Sequence, residues 1–162
     1  MDNFGRYEPP QNAPSPENYQ LKWHKFLIYF SLWAGAIINA SQAVTLIGGT
    51  AYGANTETLY RMYGSLKGID LFWGIALLGL AGYMIYVRFQ LAGFRIGAPK
   101  KLSILYIANL VCSLAYMLAV CAVTQLSLRD ILSDIAVSLF GSIVMLFVNQ
   151  NYYSKRLELF VN

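Results

Sequence analysis

Apolar runs of near-constant length alternate with short polar stretches along most of the chain. The first run covers residues 26–49 and reads FLIYFSLWAGAIINASQAVTLIGG. The others cover residues 68–89, 102–124 and 128–152. Each is about as long as a helix must be to cross a bilayer, because each helical residue rises ~1.5 Å against a hydrocarbon core ~30 Å thick. A bare peptide group finds no partner in lipid, so runs of this kind are expected as helices. The pattern predicts an all-α integral membrane protein, a four-helix bundle.

The stretches between the runs carry their own signals. Leu59, Met62, Tyr63 and Leu66 fall at i, i+3, i+4 and i+7. That spacing predicts a short amphipathic helix starting near Asn55 or Thr56 and resting on the outer membrane surface, or closing as a lid over a pocket. Tyr52, Tyr60 and Tyr63 suit the headgroup region. Residues 90–101 form a short basic loop punctuated by Gly97 and Pro99. Ser127 followed by Asp130 resembles a capping box opening the fourth run. Gly74, Gly79 and Gly82, and the pairs Ala115 with Ala119 and Ser138 with Ser142, would let neighbouring helices approach closely. Residues 1–20 contain Pro9, Pro10, Pro14 and Pro16 and no apolar period, as expected of a disordered cytoplasmic tail. The acidic start of this segment does not fit a signal peptide. Residues 157–162 are expected to form a short cytoplasmic end.

Composition sharpens the membrane reading. The chain is 57% hydrophobic and 12% charged, with a mean hydropathy of +0.46. Soluble domains carry roughly 25% charged residues, because they must coat themselves for water. The charges that remain are sorted by side. In a four-span layout, Arg6, Lys22, Lys25, Arg88, Arg95, Lys100, Lys101, Lys155 and Arg156 fall on one side, and Arg61, Lys67 and Arg129 on the other. The positive-inside rule then places both termini in the cytoplasm of a multi-pass protein of the bacterial cytoplasmic membrane. Because these basic residues border spans rather than form one patch, no nucleic-acid partner is expected.

Candidate chemistry is sparse. His24 is the sole histidine, lies between Lys22 and Lys25, and reads as a headgroup-level cation rather than a metal ligand. Cys112 and Cys121 stand nine residues apart on one predicted helix, so they point to opposite faces and act as small apolar fillers. P-loop, GxSxG, HExxH and CxxC patterns are missing, and so is the glutamate within the first span on which small multidrug exporters depend. No catalytic residue is assigned, and no metal or cofactor is expected.

One constellation remains. Asn39 and Gln42 are three apart in the outer half of the first run, with Thr45 at a similar depth. Asp70 opens the second run at that level. Asp134 and Ser138 lie more than a turn inside the fourth. Polar side chains at membrane depth face protein or water, so Asn39, Gln42, Thr45, Asp70, Asp134 and Ser138 could line an outward-facing polar pocket for a ligand. Asp134 would pair with Arg61, with Lys67, or with Asn39 and Gln42. Alternatively the set forms interhelical hydrogen bonds that fix the packing, each worth ~0.6 kcal/mol.

The segments LKWHKFLIYFSLWAGAIIN, LKGID, LSILYI and YYSKRLELFVN resemble those of a group of small, uncharacterised four-span membrane proteins of anaerobic Gram-positive gut bacteria. The resemblance runs from residue 21 to the end. It implies an inner-membrane location and no chemistry. Two functions are expected from these readings. One is a structural or accessory protein acting in the lipid bilayer through helix contacts with a membrane-protein partner or as a homo-oligomer. The other is a small-molecule or ion binder or transporter using the outer pocket.

Overall fold

The structure, a computed structural model, describes residues 21–125 and 128–161, with the helical backbone alone for residues 128–138. The proline-rich segment at 1–20 lies outside the described residues. Every regular element among the described residues is helical. α1 spans Lys22–Ile47, α2 Thr56–Met62, α3 Leu66–Ala92, α4 Ala98–Thr124 and α5 Leu128–Ser154. One 3-10 turn, Gly53–Asn55, leads into α2, and another, Leu157–Leu159, follows α5. α1, α3 and α4 are each long and apolar enough to cross a membrane.

The helices outrun the apolar runs that predicted them. α3 begins at Leu66 and continues to Ala92, and α4 begins at Ala98. Hydropathy marks where lipid ends, whereas a helix stops only where its backbone is turned. Gly97, with φ of +78°, and Pro99 in the first turn set the start of α4. Gln125, in the left-handed region, stops it at the other end.

α1 packs along α3, α3 along α4 and α4 along α5, so neighbours in sequence are neighbours in space. The buried core gathers at one end, where α1 and α4 begin and α3 and α5 finish. Leu27, Leu32, Val87, Leu91, Leu102, Leu105 and Tyr153 meet there, closed by Leu159 and Phe160 from the final turn. This is also the basic end of the sequence reading.

α1 is not uniform. Leu27–Ser31 winds as a π-helical turn, which widens the helix and loosens the carbonyl ladder. The Nε–H of Arg88 donates to the freed Ile28 carbonyl at 3.2 Å. Its guanidinium rests over the Trp33 and Phe89 rings.

Two expectations change. His24 does not face headgroups: it is 2% exposed, stacks on Phe94 at 4.9 Å between ring centroids, and meets the Tyr153 hydroxyl at 2.9 Å through Nδ1. Aromatic rings from three later segments enclose it, and none of them is near in sequence. Among the glycines of α3, only Gly74 makes a close approach. A Cβ there would sit 2.6 Å from Ile47 Cγ1, whereas Gly79 and Gly82 are exposed with nothing within 4 Å.

Candidate functional site

The strongest polar constellation is built on Asp70, in the second turn of α3. Its side chain is fully buried. Oδ1 accepts hydrogen bonds from Tyr116 Oη at 2.9 Å and Tyr52 Oη at 3.2 Å, and Oδ2 accepts one from Tyr60 Oη at 2.8 Å. The hydroxyls of Tyr52 and Tyr116 are themselves 3.2 Å apart. One carboxylate therefore ties α3 to α4, to α2 and to the loop before α2.

Local sequence explains how each tyrosine arrives. Thr56, at the start of α2, accepts from the Tyr52 amide and donates to the Gly53 carbonyl, which folds the loop back over the helix ends. Gly53, with φ of +60°, allows that reversal. Tyr60 lies one turn further along α2. Tyr116 is braced by Trp73, whose ring lies 5.8 Å away and whose indole N–H donates to the Cys112 carbonyl at 2.9 Å. Burial raises the Tyr52 and Tyr60 phenols above the usual tyrosine range, and the neighbouring Asp70 carboxylate adds to the effect. Both stay O–H donors at ordinary pH. The carboxylate receives charge-assisted bonds from three sides, the kind that holds a desolvated anion in place. A ligand could reach Asp70 only by displacing a tyrosine. Among the described residues no group of three His, Cys, Asp or Glu could hold a metal ion.

The other residues singled out by sequence are placed as follows. Asn39 is buried, and its amide donates to Asn109 Oδ1 at 3.3 Å, joining α1 to α4. Gln42 and Thr45 are exposed, and the Thr45 hydroxyl is spent on the Gln42 carbonyl at 2.8 Å. Helical phase accounts for this. The buried face of α1 carries Ala36, Asn39, Ala43 and Leu46, and Gln42 sits roughly 80° from its centre at ~100° per residue. The structure thus brings Asp70 together with tyrosines and not with Gln42 or Thr45. The side chains of Asp134 and Ser138 lie outside the described residues. Arg61, considered as a partner for Asp134, instead bridges Glu57 at 2.6 Å on the exposed face of α2.

A second polar cluster occupies the basic end. The Trp23 indole N–H donates to Asn149 Oδ1 at 2.9 Å, beside the His24–Tyr153 contact. Two grooves of about 280 Å³ each open nearby. One is lined by His24 and Lys25, the other by Lys100 and Asn149. His24 Nε2 is buried without a hydrogen-bond partner among the described residues, while the Asn149 side chain also faces the Tyr106 hydroxyl.

Tyr52 and Tyr60 were visible in the sequence, but as interfacial aromatics. Tyr116 carried no signal at all: it is one aromatic residue in an apolar helix. Compared with protein-family models, with curated proteins and with solved structures, the chain shows no match to any of them.

Proposed function

We propose that this is a multi-pass protein of the bacterial cytoplasmic membrane, with α5 as a fourth span and both termini on the cytoplasmic side. It acts as a structural or accessory protein through helix contacts with a membrane partner or a second copy. The observation that carries this reading is the exposure of the spans. α4 has the highest mean hydropathy of the three, 2.1, yet buries only 11% of its apolar window inside the protein. Faces that apolar suit lipid or another helix and not water. The buried polar side chains Asn39 and Asp70 are engaged with other side chains, Asn39 with Asn109 and Asp70 with its tyrosines, which suits a scaffold.

Gentle extraction from native membranes, with crosslinking before lysis, tests the partner. Recovery in a complex larger than one chain is the expected result. Recovery solely as a monomer under both conditions would count against it. The orientation is tested by single cysteines in a background where Cys112 and Cys121 are alanine. Ser15→Cys should resist an impermeant thiol reagent in intact cells, and Ala54→Cys, on the exposed loop before α2, should react. Labelling at Ser15 would overturn the proposed topology.

The alternative reading, a small-molecule or ion binder, draws on one observation. Asp70 is a buried carboxylate whose described partners are all hydroxyls, with no cation among them. A ligand-dependent rise in melting temperature that vanishes in Asp70→Asn would favour this second function.

A further inference from the structure

The oxygens around Asp70 are short of one hydrogen. Four contacts join them: Tyr52 and Tyr116 to Oδ1, Tyr60 to Oδ2, and Tyr52 to Tyr116. Three phenolic hydrogens serve these four contacts. When Tyr52 and Tyr116 both donate to the carboxylate, neither has a hydrogen left for the other, 3.2 Å away. Their lone pairs then face the same small space as those of Oδ1. The three oxygens form a triangle with sides of 2.9, 3.2 and 3.2 Å.

The charge is also unmatched. The Asp70 side chain is fully buried, and no described cation is among its partners. Arg61 is exposed and bridges Glu57, and Lys67 is exposed as well. Hydrogen bonds from phenols solvate a carboxylate but leave its net charge in place, and a lone buried charge is costly. An ionisable side chain buried in a membrane helix marks a site for an ion or a substrate.

We propose that Asp70 Oδ1, Tyr52 Oη and Tyr116 Oη hold a monovalent alkali cation, sodium in preference to potassium. Carboxylate and neutral oxygens are the ligands that hard cations take. One carboxylate balances one positive charge, whereas a divalent ion would leave the buried site with a net charge. The hydroxyls can donate their hydrogens to the carboxylate while turning lone pairs to the ion. Oxygens 2.9–3.2 Å apart enclose a shallow hollow that suits a small ion. A larger ion would have to push Tyr116 away from Trp73, which braces it. Access lies through Tyr60. Its helix, α2, has seven residues, of which Thr56 alone is buried, so the phenol can swing off Oδ2 without opening a core. The inference rests on the binder reading of Asp70 given above and names its ligand.

Thermal unfolding of the purified full chain in detergent tests it, with sodium or potassium replacing choline at constant ionic strength. Sodium should raise the melting temperature in a saturable way, and potassium should do so only at higher concentration. Asp70→Asn keeps an acceptor for the phenols and removes the charge; it should raise the midpoint sodium concentration more than about tenfold. Tyr116→Phe keeps the ring against Trp73 and removes one oxygen, and should raise it about tenfold. Each variant is compared with itself in choline, so a change in basal stability does not enter. Binding of radioactive sodium to the unheated protein should give the same ranking. Glu57→Gln, which removes an exposed carboxylate on α2, should leave the response unchanged. Equal responses to sodium, potassium and choline, or a sodium response that survives in Asp70→Asn, would overturn the proposal. So would stabilisation by mild acid in place of sodium, since a proton on the carboxyl would then supply the fourth hydrogen. An Asp70-dependent rise with an organic ligand and none with either ion would overturn it and leave the binder reading intact. No response to ion or ligand would remove both.

Discussion

Asp70→Ala lowers the stability of the protein by about 2–4 kcal/mol and frees the segment around residues 52–62 from the helices beneath it. Three phenols lose their acceptor at once. Tyr116 and Tyr52 are half-buried and still have each other at 3.2 Å; Tyr60 can turn to water. Removing the carboxylate also relieves its desolvation, so the loss is smaller than the sum of three charge-assisted bonds. Asp70→Asn keeps the shape and the Oδ1 acceptor, and costs about 1 kcal/mol, because only the Tyr60 bond must be rearranged. Tyr116→Phe keeps the ring against Trp73 and removes one donor, with a loss of similar size. Reversible unfolding in detergent gives the energies. Amide hydrogen exchange gives the location: protection should fall across α2 and the loop before it, while the core at the basic end stays protected. If Asp70→Ala unfolds as the wild type does, the carboxylate clamp carries no weight in the fold.

Gly74→Leu separates α1 from α3 and costs about 3 kcal/mol, the upper end for an overpacked contact. A Cβ at Gly74 already falls 2.6 Å from Ile47 Cγ1 and 3.2 Å from the Ala43 carbonyl oxygen. The isoleucine, near the end of α1 and partly exposed, can rotate away. The backbone carbonyl cannot move unless the helix moves with it. Gly74→Ala therefore costs about 1 kcal/mol and the leucine considerably more. Gly79→Ala and Gly82→Ala, on faces with nothing within 4 Å, raise stability by about 0.5–1 kcal/mol, the helix-propensity gain of alanine over glycine. Parallel unfolding of the four variants checks the ranking. Identical behaviour of Gly74→Leu and Gly82→Ala would mean that α1 and α3 do not touch at this point.

These sites differ in how far the sequence announced them. Asp70 stood out as an acid at the mouth of an apolar run, and that much needed no structure. Its partners did not stand out, because they lie 10, 18 and 46 residues away. Two of them already had a sufficient explanation as headgroup tyrosines. Gly74, Gly79 and Gly82 looked equivalent, since a small residue shows that close approach is allowed and not that a neighbour is there. His24 was misread because its immediate neighbours, Lys22 and Lys25, belong to a membrane border, while Phe94, Tyr153 and Phe160 arrive from the far ends of α3 and α5. By contrast, the apolar runs underlying α1, α3 and α4 were legible directly, although Gly97 and Pro99 read as punctuation of a loop and the structure starts α4 between them, at Ala98.

The division has one physical cause. Partition into an apolar phase and the backbone limits of glycine and proline are properties of a residue and its nearest neighbours, so the sequence alone determined the helices, their membrane-compatible length and the basic end. Which face of each helix turns inward is a property of pairs. In a soluble protein water reveals it through an amphipathic stripe, but lipid is as apolar as a protein interior and leaves no such contrast. Only the tertiary structure could decide that Asn39 turns inward while Gln42 and Thr45 turn out, and that Asp70 is held by tyrosines from three separate segments.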